Sequence, residues 1–185
     1  MNVFDKLKNE DWICLLIKQP QFADKCNKWR KFDAEDWRNL LCDQSQFADK
    51  CDWSKLDGCA WCNLLREQPQ FADKCDWSKL DRYTWSSLLC KQPQFAGKCD
   101  KWDEFEAKDW SWLLHKQPQF ADKCNGWYKF NGGDWSCLLY NQPQFADKCD
   151  WEKLARRALI WLLQKHPEFA DKLLHISVSD GSNAK

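Results

Sequence analysis

Phe22, Phe47, Phe71, Phe95, Phe120, Phe145 and Phe169 recur at intervals of 25, 24, 24, 25, 25 and 24 residues. Each lies inside a version of Gln-Pro-Gln-Phe-Ala-Asp-Lys-Cys, first met at Gln19 to Cys26. A unit that short cannot bury its apolar face alone; it closes only by stacking on the next copy. Seven copies in 185 residues leave room for little else. The expected fold class is therefore all-α: an α-solenoid of seven 24–25-residue repeats built from short α and 3-10 helices. Residues 1–178 are expected to form a single helical-repeat solenoid domain, and residues 179–185 a flexible C-terminal tail.

The third unit sets out the repeat. Trp61, Leu64 and Leu65 fall at i, i+3 and i+4, one face of a helix. Asp57 is the expected N-cap, and in other units an Asp directly before the Trp (Asp11, Asp36, Asp109, Asp134) suits the first turn. Pro69 ends this helix and starts the next, where its missing N–H is harmless. Units with one extra residue after the Cys carry Phe32, Phe105 or Phe130, whereas shorter ones carry Leu56, Leu80 or Leu154. The larger ring is expected to fill the space opened by the insertion. Stacking implies two aromatic ladders. One runs from Phe4 and Trp29 to Trp151; the other runs from Trp12 to Trp135 and ends at Leu159. At the end of the array, Leu173, Leu174, Ile176 and Val178 are expected to cap the last apolar face.

Short helices at this period, with Leu64, Leu65, Gln68 and Pro69 set as Leu-Leu-x-x-Gln-Pro, resemble the leucine-rich variant repeats. That family alternates α and 3-10 helices, so the resemblance implies a right-handed solenoid over residues 4–173. It departs in composition: Trp, Phe and Cys occupy slots where the family favours Leu, Val and Ala. The iron–sulfur cysteine cluster of the family's archetype has no counterpart, since only Cys14 precedes Cys26.

Function is less legible than fold. Lys plus Arg and Asp plus Glu balance at 28 each, which disfavours a phosphate-tracking nucleic-acid binder. The opening residues lack the pattern of a signal peptide and no apolar run approaches a membrane span. The expected setting is cytoplasmic, with reduced thiols and no membrane. Cys26, Cys51, Cys75, Cys99, Cys124 and Cys149 share one slot and read as small buried hydrophobes. Adjacent helices lie about 10 Å apart, too far for disulfides between equivalent positions, which need under about 7 Å. Cys59 and Cys62 form a Cys-x-x-Cys; with Cys42 and Cys90 they are the candidates for a metal or redox site. Neither a phosphate-cradling Gly-rich loop nor a zinc-protease or nucleophile-elbow motif is present. The expectation is a protein that is not an enzyme and takes no cofactor.

What changes between units carries more information. With the helical Trp at zero and about 100° per residue, positions +2 and +5 point away from the packed side. The +2 column reads Cys14, Asn39, Asn63, Ser87, Trp112, Cys137, Trp161; the +5 column reads Ile17, Cys42, Arg66, Cys90, His115, Tyr140, Gln164. A fixed scaffold with a variable stripe is how solenoids recognise partners. The expected partner-binding residues are Asn39, Asn63, Arg66, Ser87, Trp112, His115, Tyr140 and Trp161, on a monomer that binds, and so could inhibit, another protein. Trp161 also reads as part of the terminal cap. Two alternatives remain: a modular nucleic-acid binder reading one base per repeat, and a Cys-based metal or redox protein.

Overall fold

A computed structural model describes residues 3–173. They are all-α, with no strand among them. Seven ten-residue helices recur: α1 (Asn9–Lys18), α2 (Ala34–Asp43), α3 (Gly58–Glu67), α4 (Arg82–Lys91), α5 (Ala107–Lys116), α6 (Gly132–Asn141) and α7 (Arg156–Lys165). Each is followed by a 3-10 helix, such as Pro69–Lys74 after α3, and each is preceded by a short 3-10 turn, such as Trp53–Lys55. A last turn, α8 (Ala170–Leu173), closes the described chain. The residues divide into two compact units, Met1–Cys99 and Asp100–Lys185. In the first, α1 to α4 pack each on the next; in the second, α5 packs on α6 and α6 on α7. The expected tail, and the cap at Leu174, Ile176 and Val178, lie outside the described residues.

The helix boundaries follow from local chemistry. Asp57 accepts a hydrogen bond from the Ala60 N–H at 2.8 Å, which makes it the N-cap of α3. The Asp preceding the Trp acts differently: Asp109 Oδ2 accepts from the Glu106 N–H, and Asp134 Oδ2 from the Asn131 N–H, at 2.9 and 3.0 Å. These are capping boxes, and they explain why both carboxylates are buried. At the other end the Gln68 N–H donates to Leu64 O at 2.7 Å, then Pro69 opens the 3-10 helix. A short turn and a proline thus end six of the seven helices, and after α2 Ser45 stands in the proline's place at the same length.

The rings are organised within a repeat rather than along the stack. Trp53 stacks on Trp61 with centroids 5.4 Å apart and also meets Phe71 at 5.3 Å. The same trio forms around Trp29, Trp77, Trp102 and Trp127. The helical Trp of each trio is fully buried; its stacking partner is half-buried, so the two expected ladders differ in depth. In the longer units a fourth ring joins: Phe32 lies 5.3 Å from Trp37, and Phe130 lies 4.9 Å from Trp135. Phe32, Phe105 and Phe130 are buried as fully as Leu56 and Leu80, as expected of a ring compensating for an insertion.

Two ladders of side-chain hydrogen bonds join consecutive repeats. Gln44, Gln68 and Gln92 each donate an amide N–H to a carbonyl near the end of the preceding helix, at Ile17, Cys42 and Arg66, over 2.6–2.8 Å. In the second unit Gln142 donates to His115 O at 2.8 Å, and His166, standing in the Gln slot, places Nε2 3.0 Å from Tyr140 O. The Lys of the Trp-x-Lys turn in the shorter units, Lys55, Lys79 and Lys153, provides the other ladder. Lys55 Nζ donates to Arg30 O and Phe32 O, and Lys79 Nζ to Ser54 O and Leu56 O, at 2.6–2.7 Å. Carbonyls left over at helix ends are thereby satisfied by the next repeat.

Candidate functional site

The helix register fixes which side chains reach solvent. In both units Trp and the Leu pair at +3 and +4 face inward, and all are fully buried from α2 to α6. The exposed columns are −2, +2 and +6. Position −2 reads Glu10, Glu35, Cys59, Tyr83, Lys108, Gly133 and Arg157, and every one is exposed. Position +6 (Lys18, Asp43, Glu67, Lys91, Lys116, Asn141, Lys165) is exposed throughout as well. Of the +2 column, Asn63, Trp112 and Trp161 are exposed, whereas Asn39 and Ser87 are half-buried. Arg66, His115 and Tyr140, at +5, are half-buried. The variable face is therefore broader than the two expected columns and is centred nearer −2 and +2. The −2 column escaped notice because it falls among first-turn residues, where capping accounts for side-chain choice; at about 160° from the Trp it belongs to the outer face.

The second unit gathers the aromatic members of this face. Tyr140 of α6 and Trp161 of α7 stack face to face, with centroids 3.9 Å apart and planes within 5°. Lys165 Nζ sits 3.6 Å from the Tyr140 ring centre, a cation–π arrangement. On α5, Trp112 lies nearly parallel to His115 at 6.1 Å, and Lys116 Nζ is 5.5 Å from the Trp112 ring. Trp112 is 55% exposed and Trp161 41%, large values for the residue type that most often packs inward. Partial burial, and secondarily the Lys116 charge, hold the His115 imidazole below its ordinary pKa. It is therefore neutral at neutral pH. Compared with known protein families, with curated proteins and with solved structures, the chain matches none.

In the first unit the face is mostly polar, with one exposed ring, Tyr83 of α4, beneath the Arg82 guanidinium at 4.2 Å. Asn39, Asn63, Arg66 and Ser87 bring no aromatic surface together there. A shallow groove between α2 and α3 is lined by Glu35, Arg38, Asp57, Cys59 and Asn63. Arg38 is engaged with Glu35 at 3.2 Å across its own helix.

The cysteines of the repeating slot are buried at Cys26 and Cys124 and half-buried at Cys51, Cys75, Cys99 and Cys149, whereas Cys14, Cys59 and Cys137 on the helices are exposed. All twelve remain thiols. In the repeating slot, burial first and the following Asp carboxylate second push Cys51, Cys75 and Cys149 up to about 12. Burial alone takes Cys124 to about 11. Such thiols carry almost no thiolate at neutral pH and are poor nucleophiles. The candidates Cys42, Cys59, Cys62 and Cys90 do not converge. Cys59 is exposed, while Cys62 is buried and directs Sγ to Thr84 O at 3.3 Å. Among the described residues no group of three or more His, Cys, Asp or Glu side chains is placed to hold a metal ion. No helix among them is long and apolar enough to cross a membrane.

Proposed function

We propose that this chain is a non-enzymatic protein-binding module that recognises its partner through the variable outer face of its repeat helices. The observation that carries this reading is the contrast between two layers of one helix. Beneath, Trp, Leu and Leu repeat almost without change; above, the −2, +2 and +5 columns differ at nearly every repeat. Packing cannot require that variation, because the invariant layer already fills the interior. Exposed aromatics grouped on neighbouring helices have the composition of binding hot spots. Binding there would inhibit any partner whose working surface it covers. Twelve thiols suit a monomer working in a reducing, cytoplasmic setting.

The test is affinity capture from source cells with the wild-type protein and with W112A/Y140A, followed by mass spectrometry. The double variant is expected to lose the enriched partner while its helical circular dichroism and melting temperature stay within experimental scatter. Retention of the same partner by a folded double variant would refute the assignment of the face. Selective loss of bound nucleic acid instead would move the reading to single-strand recognition.

A further inference from the structure

From the charge on α5, α6 and α7, and resting on the reading above, we infer that the partner segment held by the second unit is an acidic, aromatic-bearing stretch of polypeptide. The exposed columns of these three helices carry Lys108, Lys116, Arg157 and Lys165 and not one Asp or Glu. The same columns on α1 to α4 carry Glu10, Glu35, Asp43 and Glu67 beside Lys18 and Lys91. A single-sign field is therefore a property of α5 to α7 taken together, and both exposed tryptophans lie on these helices; on α4, where Tyr83 is exposed, Lys91 is paired with Glu67 of α3 at 2.6 Å.

Helix stability does not account for all four cations. Lys116 and Lys165 lie in the last turn, where positive charge complements the helix dipole. Lys108 and Arg157 lie in the first turn, where it opposes the dipole and where α1 and α2 place Glu10 and Glu35. A placement unfavourable to the helix, repeated on α5 and α7 and exposed on both, fits a demand from outside the fold. Carboxylates supply the complementary charge. The rings supply the apolar part: Trp112 and the face of Trp161 turned away from Tyr140 offer flat surface to an aromatic or aliphatic side chain between the charges. A nucleic-acid strand fits less well, because the whole chain is neutral and four cations give a short phosphate track.

The experiment is fluorescence anisotropy on the full chain with three labelled probes: a peptide of four tandem Glu-Glu-Tyr-Glu units, its Lys-for-Glu counterpart, and an oligothymidylate of similar length. The acidic peptide is expected to bind best, and to weaken steeply between low and physiological salt. K108E/K116E/R157E/K165E should weaken it by at least about tenfold, and W112A/Y140A/W161A by a similar factor, about 1.4 kcal/mol. Both variants are first checked for native helicity and melting, since all four cations and two of the three rings are exposed. Equal or tighter binding of the basic peptide, with loss in the ring variant, would overturn the acidic partner while leaving the face intact as a protein-binding surface. Tighter binding of the oligonucleotide would overturn it in favour of nucleic acid. Acidic-peptide binding that neither variant weakens would overturn both the inference and the assignment of the face. Absence of peptide binding at millimolar concentration would overturn the inference alone.

Discussion

Repeats three and six differ where solvent meets them and agree where it does not. On α3 the outer columns offer Cys59, Asn63, Arg66 and Glu67; on α6 they offer Gly133, Cys137, Tyr140 and Asn141. Beneath, Trp61 and Trp135 are both fully buried, both stack on the Trp of the preceding turn, and both sit over the same Leu pair. Even the close approaches match: a Cβ on Gly58 or Gly132 would lie 2.2 Å from a backbone carbonyl of the next repeat, at Lys79 or Lys153. Packing and surface character are thus separable on one ten-residue helix. An outer side chain can change without disturbing the interlock, which is what allows two units of one design to carry different surfaces.

The sharpest way to break that separation is through the invariant layer. Trp61→Ala in the first unit and Trp135→Ala in the second are each expected to destabilise by about 3–5 kcal/mol, since a fully buried indole leaves a large cavity. Urea unfolding measures both. Equal losses support a common interior; a loss in only one unit would mean that the two repeats are held together differently. Next in size is the interlocking ladder. Gln68→Leu removes the donor to Cys42 O, and His166→Leu removes the corresponding contact to Tyr140 O. Each is expected to cost about 1–3 kcal/mol through the part-buried carbonyl left without its partner. In His166→Gln the amide takes the imidazole's place, and most of the loss should not occur. A full loss in the Gln variant would show that the ring contact of His166 with Phe169, at 5.2 Å, matters more than the hydrogen bond.

Much of this was legible before any coordinates. The period, the short helices, the cap at Asp57 and the Pro-initiated turns all follow from residue type and spacing, because each is decided within a few residues. Contacts between repeats were not. A period says that equivalent residues align, but not whether their rings touch; Trp53 prefers Trp61 of its own repeat to any ring of the next. The Lys in Trp-x-Lys carries no signal of its role in the sequence, yet Lys79 reaches back 25 residues to Ser54 O. The stack of Tyr140 on Trp161 was equally hidden: it joins +5 of one helix to +2 of the next, and only the helix–helix offset reveals it. The exposure of Trp161 was foreseeable from the helical wheel; its pairing with a half-buried Tyr140 was not.

The smallest expected effect concerns a feature common to both units. Trp12, Trp37, Trp61, Trp85, Trp110 and Trp135 all bury the indole Nε1–H without a hydrogen-bond partner. A buried, unsatisfied donor costs about 1–3 kcal/mol, so the six repeats that carry this Trp keep it against a standing penalty. Its retention means that the area of the ring matters more than its polar edge. Trp61→Phe and Trp135→Phe separate the two terms. The lost five-membered ring leaves a void worth about 1 kcal/mol or somewhat more, while removal of the N–H relieves a penalty of similar size. The net change should lie within about 1 kcal/mol of zero at both positions, against the several kcal/mol lost in the Ala variants. A Phe variant as damaging as Ala would mean that the N–H is satisfied after all and that the polar edge, not the ring, holds the repeat. A large effect in one unit alone would show that the two interiors, alike in geometry, differ in hydration.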